Sequence, residues 1–185
     1  MIIHSNIIWI TGLPCIGKST IIPSLIKSNK CVYIESDIIR DNIIKSDPAI
    51  YEEYEHLNRF KYDNHKYKNR YKSEKMFLDF HKDLSSFLVD RIIDELDLSS
   101  DNSFYIEISP FTLMYSHRKE KSLLFKLSKF KHLSRIKNYT GCSDQDANDL
   151  YTFLSNAFNS IQESLYIHKI IDIDEISIDD LQSNN

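Results

Sequence analysis

Hydrophobic residues along this chain gather into short unbroken runs that alternate with longer stretches of helical spacing. Residues 7 to 11, IIWIT, form a β-branched and aromatic run that stops at Gly12, the pattern of a strand buried on both faces of a parallel sheet. From Gly17 to about Ser28, the positions Ile21, Ile22, Leu25 and Ile26 share one helical face, with Pro23 removing one backbone donor within the first two turns. A second apolar run, CVYI at 31 to 34, ends in Glu35-Ser36-Asp37. Strand, helix and strand in this order predict a βαβ unit. From Ile38 to about Leu98 helical periodicity prevails, interrupted near Ser46-Asp47-Pro48. Its last part sets Met76, Phe77, Phe80, Leu84, Phe87, Leu88, Ile92 and Leu96 at three- and four-residue intervals, a helix lying on a core. Residues 103 to 108 (SFYIEI), 122 to 127 (SLLFKL) and 169 to 173 (KIIDI) are the third, fourth and fifth predicted strands, and Gln145 to Leu165 a further helix. Strands alternating with helices predict an α/β fold with a parallel sheet, in one domain spanning 1 to 185.

Composition narrows the class. A chain of 185 residues that is 42% hydrophobic and 27% charged, with net charge -4, suits one globular domain and disfavours a broad nucleic-acid-binding surface, leaving room only for a local basic patch. Cys15, Cys31 and Cys142 lack CxxC spacing, so neither a disulfide framework nor a zinc knuckle is expected. A reducing, cytoplasmic compartment follows as the expectation. The opening MIIHSNIIWI is apolar for about ten residues, too short to span a bilayer and without the basic start of a signal peptide. No membrane association is expected. His56, His65 and His117 show no paired ligand spacing and read as surface or core residues.

Only three residues are glycine, and two of them fall in Gly12-Leu13-Pro14-Cys15-Ile16-Gly17-Lys18-Ser19, a GxxxxGKS motif between a predicted strand and a predicted helix. The frequencies of this chain give roughly one chance in a thousand of that pattern arising anywhere in it. Phosphate oxygens need several backbone N–H donors converging on one point, which glycine permits by its conformational range and lack of a side chain. The helix N-terminus that follows, with Thr20 in its first turn, adds its positive dipole end. Lys18 supplies an ammonium for the β- and γ-phosphates, and the Ser19 hydroxyl is the expected magnesium ligand. ATP and Mg2+ are the implied nucleotide and metal.

Together with the order of elements, this motif resembles the small P-loop kinases of the nucleoside and nucleotide kinase superfamily over nearly the whole chain. The nearest types are the polynucleotide 5'-kinase-like and adenylylsulfate-kinase-like proteins. The resemblance implies a three-layer fold with a five-stranded parallel sheet, a helical acceptor-binding excursion over about 38 to 98 and a lid over about 126 to 141. Glu35-Ser36-Asp37-Ile38-Ile39-Arg40 resembles the SDxxR element after strand two, which implies Asp37 as the base facing the acceptor hydroxyl and Arg40 as an acceptor contact. Deoxynucleoside kinases place a Glu directly after strand two, so Glu35 fits the same role. The choice between Glu35 and Asp37 stays open, as does a helix-capping role for Asp37 before Ile38. Tyr105-Ile106-Glu107-Ile108-Ser109-Pro110-Phe111 resembles the strand-three segment whose carboxylate supports magnesium, with Glu107 where most have Asp. Arg118 stands where the polynucleotide-kinase type often has a basic residue at the acceptor.

In the segment Lys126 to Lys137, the resemblance implies a lid in which Arg135, with Lys131 or Lys137, clamps the phosphates; a solvent-facing lysine-rich helix is the other reading. Gly141 is then either a hinge for the lid or a turn. In the excursion, Tyr62, Tyr67 and Tyr71 alternate with Arg59, Lys61, Lys66, Lys68, Arg70 and Lys72, either a base-and-phosphate site or the stripe of an ordinary helix. The expected activity is ATP- and Mg2+-dependent transfer of phosphate to a nucleoside, a nucleotide or a nucleic-acid 5'-hydroxyl. A P-loop ATPase and a nucleotide-binding regulatory protein without kinase activity are the alternatives; the NKxD motif of a GTPase is absent from the sequence.

Overall fold

A computed structural model of the chain describes residues 4–26, 30–46, 49, 50, 52 and 74–176. The predicted strands appear as β1 (Ile7–Thr11), β2 (Cys31–Glu35), β3 (Ser103–Glu107), β4 (Lys121–Lys126) and β5 (Lys169–Asp172). They form a five-stranded sheet in the order β2-β3-β1-β4-β5, and all its neighbours pair in parallel. The central strand is therefore the one that runs into the glycine motif. Helices among the described residues are α1 (Lys18–Leu25), α2 (Ser36–Ser46), α3 (Glu74–Asp94), α4 (Pro110–Tyr115), α5 (Lys129–Thr140) and α6 (Asp144–Ile161).

Strand alternation divides the core into two layers. Ile7, Trp9, Phe104, Ile106 and Leu124 face α3 and α6, where Phe77, Leu84, Leu88, Ile92, Leu154 and Phe158 complete a single cluster. Ile10 and Phe125 face the other way, against Ile16 and Ile22 at and after the glycine motif, with Tyr33 and Tyr105 packed at the margin. Each large side chain fully buried in these layers contributes about 1.5–3 kcal/mol, so the sheet is held from both sides while its strand ends stay free to carry chemistry.

Local signals explain the element ends. Pro110 opens α4, where its missing N–H is no loss. Ser143 caps α6 by accepting the Asp146 N–H at 3.1 Å, with Asp144 and Asp146 near the positive end of the dipole. Gly141 closes α5 in the left-handed region (φ 66), its N–H bonded to the Lys137 carbonyl at 2.8 Å. Of the two readings of Gly141, this is the turn. The helix after β2 starts at Ser36 rather than Ile38, so Asp37 lies inside its first turn instead of capping it. Much of the expected excursion, with Tyr62, Tyr67, Tyr71, their interleaved cations, His56 and His65, lies outside the described residues.

Candidate active site

In a parallel sheet every strand points its carboxyl end to the same edge, and ligands gather at that edge. The turn from β1 to α1 lies there. Its backbone takes conformations that few residues adopt: Gly12 has φ 153, Cys15 φ 62 and Gly17 φ 88. A Cβ on Gly12 would collide with the Ile16 side chain and the Phe125 carbonyl, and one on Gly17 with the guanidinium of Arg135. Both glycines are thus required by conformation and by space. The Cys15 thiol is pushed up by burial, which keeps it protonated and argues against a reactive thiolate.

Lys18, only 8% exposed, donates to the carbonyls of Gly12 at 3.0 Å and Leu13 at 3.2 Å and lies 3.6 Å from Glu107. Its ammonium is curled over the loop into which phosphate oxygens would fit. Burial lowers its pKa, and the Glu107 carboxylate opposes that shift. Ser19 donates to both Glu107 oxygens, at 3.1 and 3.3 Å. Glu107 ends β3, the strand beside β1, in register with Ile10 on one side and Glu35 on the other. A hydroxyl and a carboxylate are hard oxygen donors suited to magnesium, which keeps waters and takes phosphate oxygens for the rest of its shell.

A cleft of about 1140 Å³ extends from this loop. Gly12, Pro14, Cys15, Gly17, Lys18, Ser19, Thr20, Glu35, Asp37, Arg40, Glu107 and Arg135 all line it, whereas Leu13 and Ile16 hold the loop from below as core contacts. Asp37 is 77% exposed and pairs with Arg40 at 2.7 Å, while Arg40 also meets Asp41 at 2.8 Å. The Glu35 carboxyl has a raised pKa, first from burial and then from the facing charges of Glu107 and Asp37. Three carboxylates at one strand edge need cations to stay ionised together, and Lys18 and Arg40 are near them.

Arg118 is a correction. It precedes β4 and therefore lies at the amino edge of the sheet, the edge away from the glycine motif. There it pairs with Asp90 at 2.5 Å and Glu120 at 3.4 Å, and Glu120 also accepts the Trp9 indole N–H at 3.3 Å. It binds structure together and does not line the cleft. Within the segment expected as a lid, residues 129–140 are a helix docked on the glycine-rich turn. His132, 1% exposed, meets the Pro14 carbonyl through Nε2 at 2.7 Å, and Arg135 donates to the Ile16 carbonyl. A carbonyl only accepts, so Nε2 carries the proton. Burial lowers the His132 pKa, which keeps the ring neutral in that role. Lys131 pairs with Asp174 and Lys137 with Asp144.

Two contributors to the site are not legible as such in the sequence. Tyr33 reads in the sequence as part of an apolar strand run, although it shares a face with Glu35; its hydroxyl donates to Glu107. His132 lies one helical turn before Arg135, an i, i+3 relation that puts both on the loop-facing side. The far half of the cleft, lined by Phe77, His81, Phe111, Thr112 and Phe153, includes a His81–Thr112 contact of 2.8 Å. Of these, Phe77 was recognisable only as core.

The fold is shared with solved structures. TT1252 from Thermus thermophilus, 17% identical, superposes with a TM-score of 0.57, covering 97% of this chain and 93% of the other. A shikimate kinase from Bacteroides thetaiotaomicron, 12% identical, gives a TM-score of 0.53 over 96% of this chain and 92% of its own. No protein-family model and no curated protein matches the sequence. The likeness is one of architecture, an α/β fold with a five-stranded parallel sheet. No helix among the described residues is long and apolar enough to cross a membrane.

Proposed function

We propose that the chain is an ATP- and magnesium-dependent phosphotransferase acting on the hydroxyl of a small nucleoside- or nucleotide-like acceptor or of a nucleic-acid 5'-end, in one kinase domain. The observation that carries this reading is the convergence of Lys18, Ser19 and Glu107 in a cleft that Glu35, Asp37 and Arg40 also line, beside Glu107 at the same strand edge. An ATPase or a nucleotide-holding regulator needs the first set; the second is the equipment of an acceptor. The loop amides and Lys18 hold the β- and γ-phosphates. Ser19 and Glu107 would hold magnesium, which would supply neutralisation of the charge on the phosphate oxygens. Asp37 takes the acceptor hydroxyl proton as that oxygen bonds to the γ-phosphorus and the bond to the β–γ bridging oxygen breaks, releasing ADP. Arg40 orients an anionic acceptor, and Arg135 meets the charge of the transferring group.

The test is transfer of label from γ-labelled ATP to a panel of nucleosides, nucleoside monophosphates and 5'-hydroxyl oligonucleotides. Lys18→Ala should lose at least about 100-fold in rate, the scale of one removed charge-stabilising donor. Asp37→Asn should lose about 100- to 10,000-fold, the contribution of a positioned base. Retained transfer in Asp37→Asn with loss in Glu35→Gln moves the base to Glu35, and label released only to water makes the chain an ATPase.

A further inference from the structure

We propose that Tyr33, on β2 and outside the phosphate loop, is a positioning residue that holds the Glu107 carboxylate in the orientation from which it supports magnesium. The inference rests on the phosphotransferase reading above. Three donors converge on Glu107: the Ser19 hydroxyl, the Lys18 ammonium and the Tyr33 hydroxyl. Nucleotide binding makes a competing demand on two of them. Lys18 is wanted by phosphate oxygens, and a Ser19 hydroxyl that ligates a cation must turn its proton away and its lone pair toward the metal. Tyr33 is the donor of the three that nucleotide does not recruit.

The register explains how it reaches. Tyr33 is paired with Tyr105 and Glu35 with Glu107, so Tyr33 and Glu107 stand on the same sheet face as diagonal neighbours on adjacent strands. Such neighbours lie within range of long side chains. Tyr33 packs beside the core layer of Ile10, Ile16 and Ile22, which fixes the ring and leaves its hydroxyl directed to the strand edge. An anchored donor matters more for a glutamate than for an aspartate, because the added methylene brings another rotatable bond that must be frozen.

The experiment measures ATP affinity by calorimetry, in EDTA and across a magnesium series, for the wild type, Tyr33→Phe, Glu107→Asp and the double variant, with melting curves alongside. Tyr33→Phe should bind metal-free ATP within about twofold of wild type but need about tenfold more magnesium to reach tight binding, the size of one lost hydrogen bond to a charged group. In the Glu107→Asp background the shorter carboxylate no longer reaches the phenol, so Tyr33→Phe should add no further loss. An unchanged magnesium requirement in Tyr33→Phe overturns the proposal, as do additive losses in the double variant. An equal loss of metal-free affinity, or a collapsed melting curve, makes Tyr33 a structural residue and overturns it too. A wild type that binds magnesium and ATP yet phosphorylates nothing defeats the phosphotransferase reading alone, since the readout here is binding. A wild type that binds no ATP defeats both.

Discussion

Gly17 and Gly141 both sit in the left-handed region, at φ 88 and φ 66, yet they do different work. A side chain at Gly141 would meet nothing within 4 Å, whereas one at Gly17 would drive into Arg135. The backbone cost of an L-residue in that region is about 1–2 kcal/mol at either place. Gly141→Ala should therefore lower stability by about that amount and leave ATP affinity unchanged. Gly17→Ala should cost more in stability and also weaken ATP binding, because Arg135 must leave its place on the Ile16 carbonyl. Urea denaturation and ATP titration on the two variants check the contrast. Glycine scarcity made the motif legible in the sequence, but which glycine is hemmed in depended on a guanidinium more than a hundred residues away.

Helix α5 shows what spacing along the chain leaves undetermined. Its lysines and Arg135 suit either a mobile clamp or a solvated face, and the sequence pattern is the same for both. The structure pins the helix at two points: His132 and Arg135 on the phosphate loop, and Asp174, just past β5, at its start. Asp174 accepts the Ser128 N–H at 2.7 Å and pairs with Lys131 at 2.6 Å, and these donors hold its carboxyl at about 2, against 3.8 unperturbed. A carboxyl held below its unfolded value stabilises the fold above about pH 4, and that contribution disappears as the pH falls through about 2. Denaturation midpoints between pH 5 and 2 should fall with acid in the wild type, and Asp174→Asn should flatten that part of the profile while being less stable at pH 7.

Across the whole molecule, the direction of the parallel sheet sorts residues into two edges. Sequence order places every residue just after a strand at the carboxyl edge and every residue just before one at the amino edge. Glu35, Asp37 and Glu107 pass that test for the cleft. Arg118, three residues before β4, fails it and joins Asp90, Glu120 and Trp9 at the far side. Arg118→Ala would strand the buried Glu120 carboxylate without its guanidinium partner, a loss of about 3 kcal/mol on the scale of a broken buried ion pair. Denaturant unfolding should register that loss, and the Michaelis constants for ATP and acceptor should not move.

The sequence by itself determined the strands, the glycine-rich turn after β1 and the α/β class, because these rest on local properties: runs of β-branched residues, helical spacing and glycines that tolerate unusual backbone. It also marked the carboxylates near strands two and three, since a charged residue directly after a buried strand must surface at the strand's end. Only the tertiary structure decided which of these meet. Tyr33 joining Glu107, His132 joining Pro14, Arg135 settling on the Ile16 carbonyl and Arg118 turning to the opposite edge all depend on contacts between distant segments. Spacing along a chain cannot express such contacts until the sheet order β2-β3-β1-β4-β5 brings those segments together.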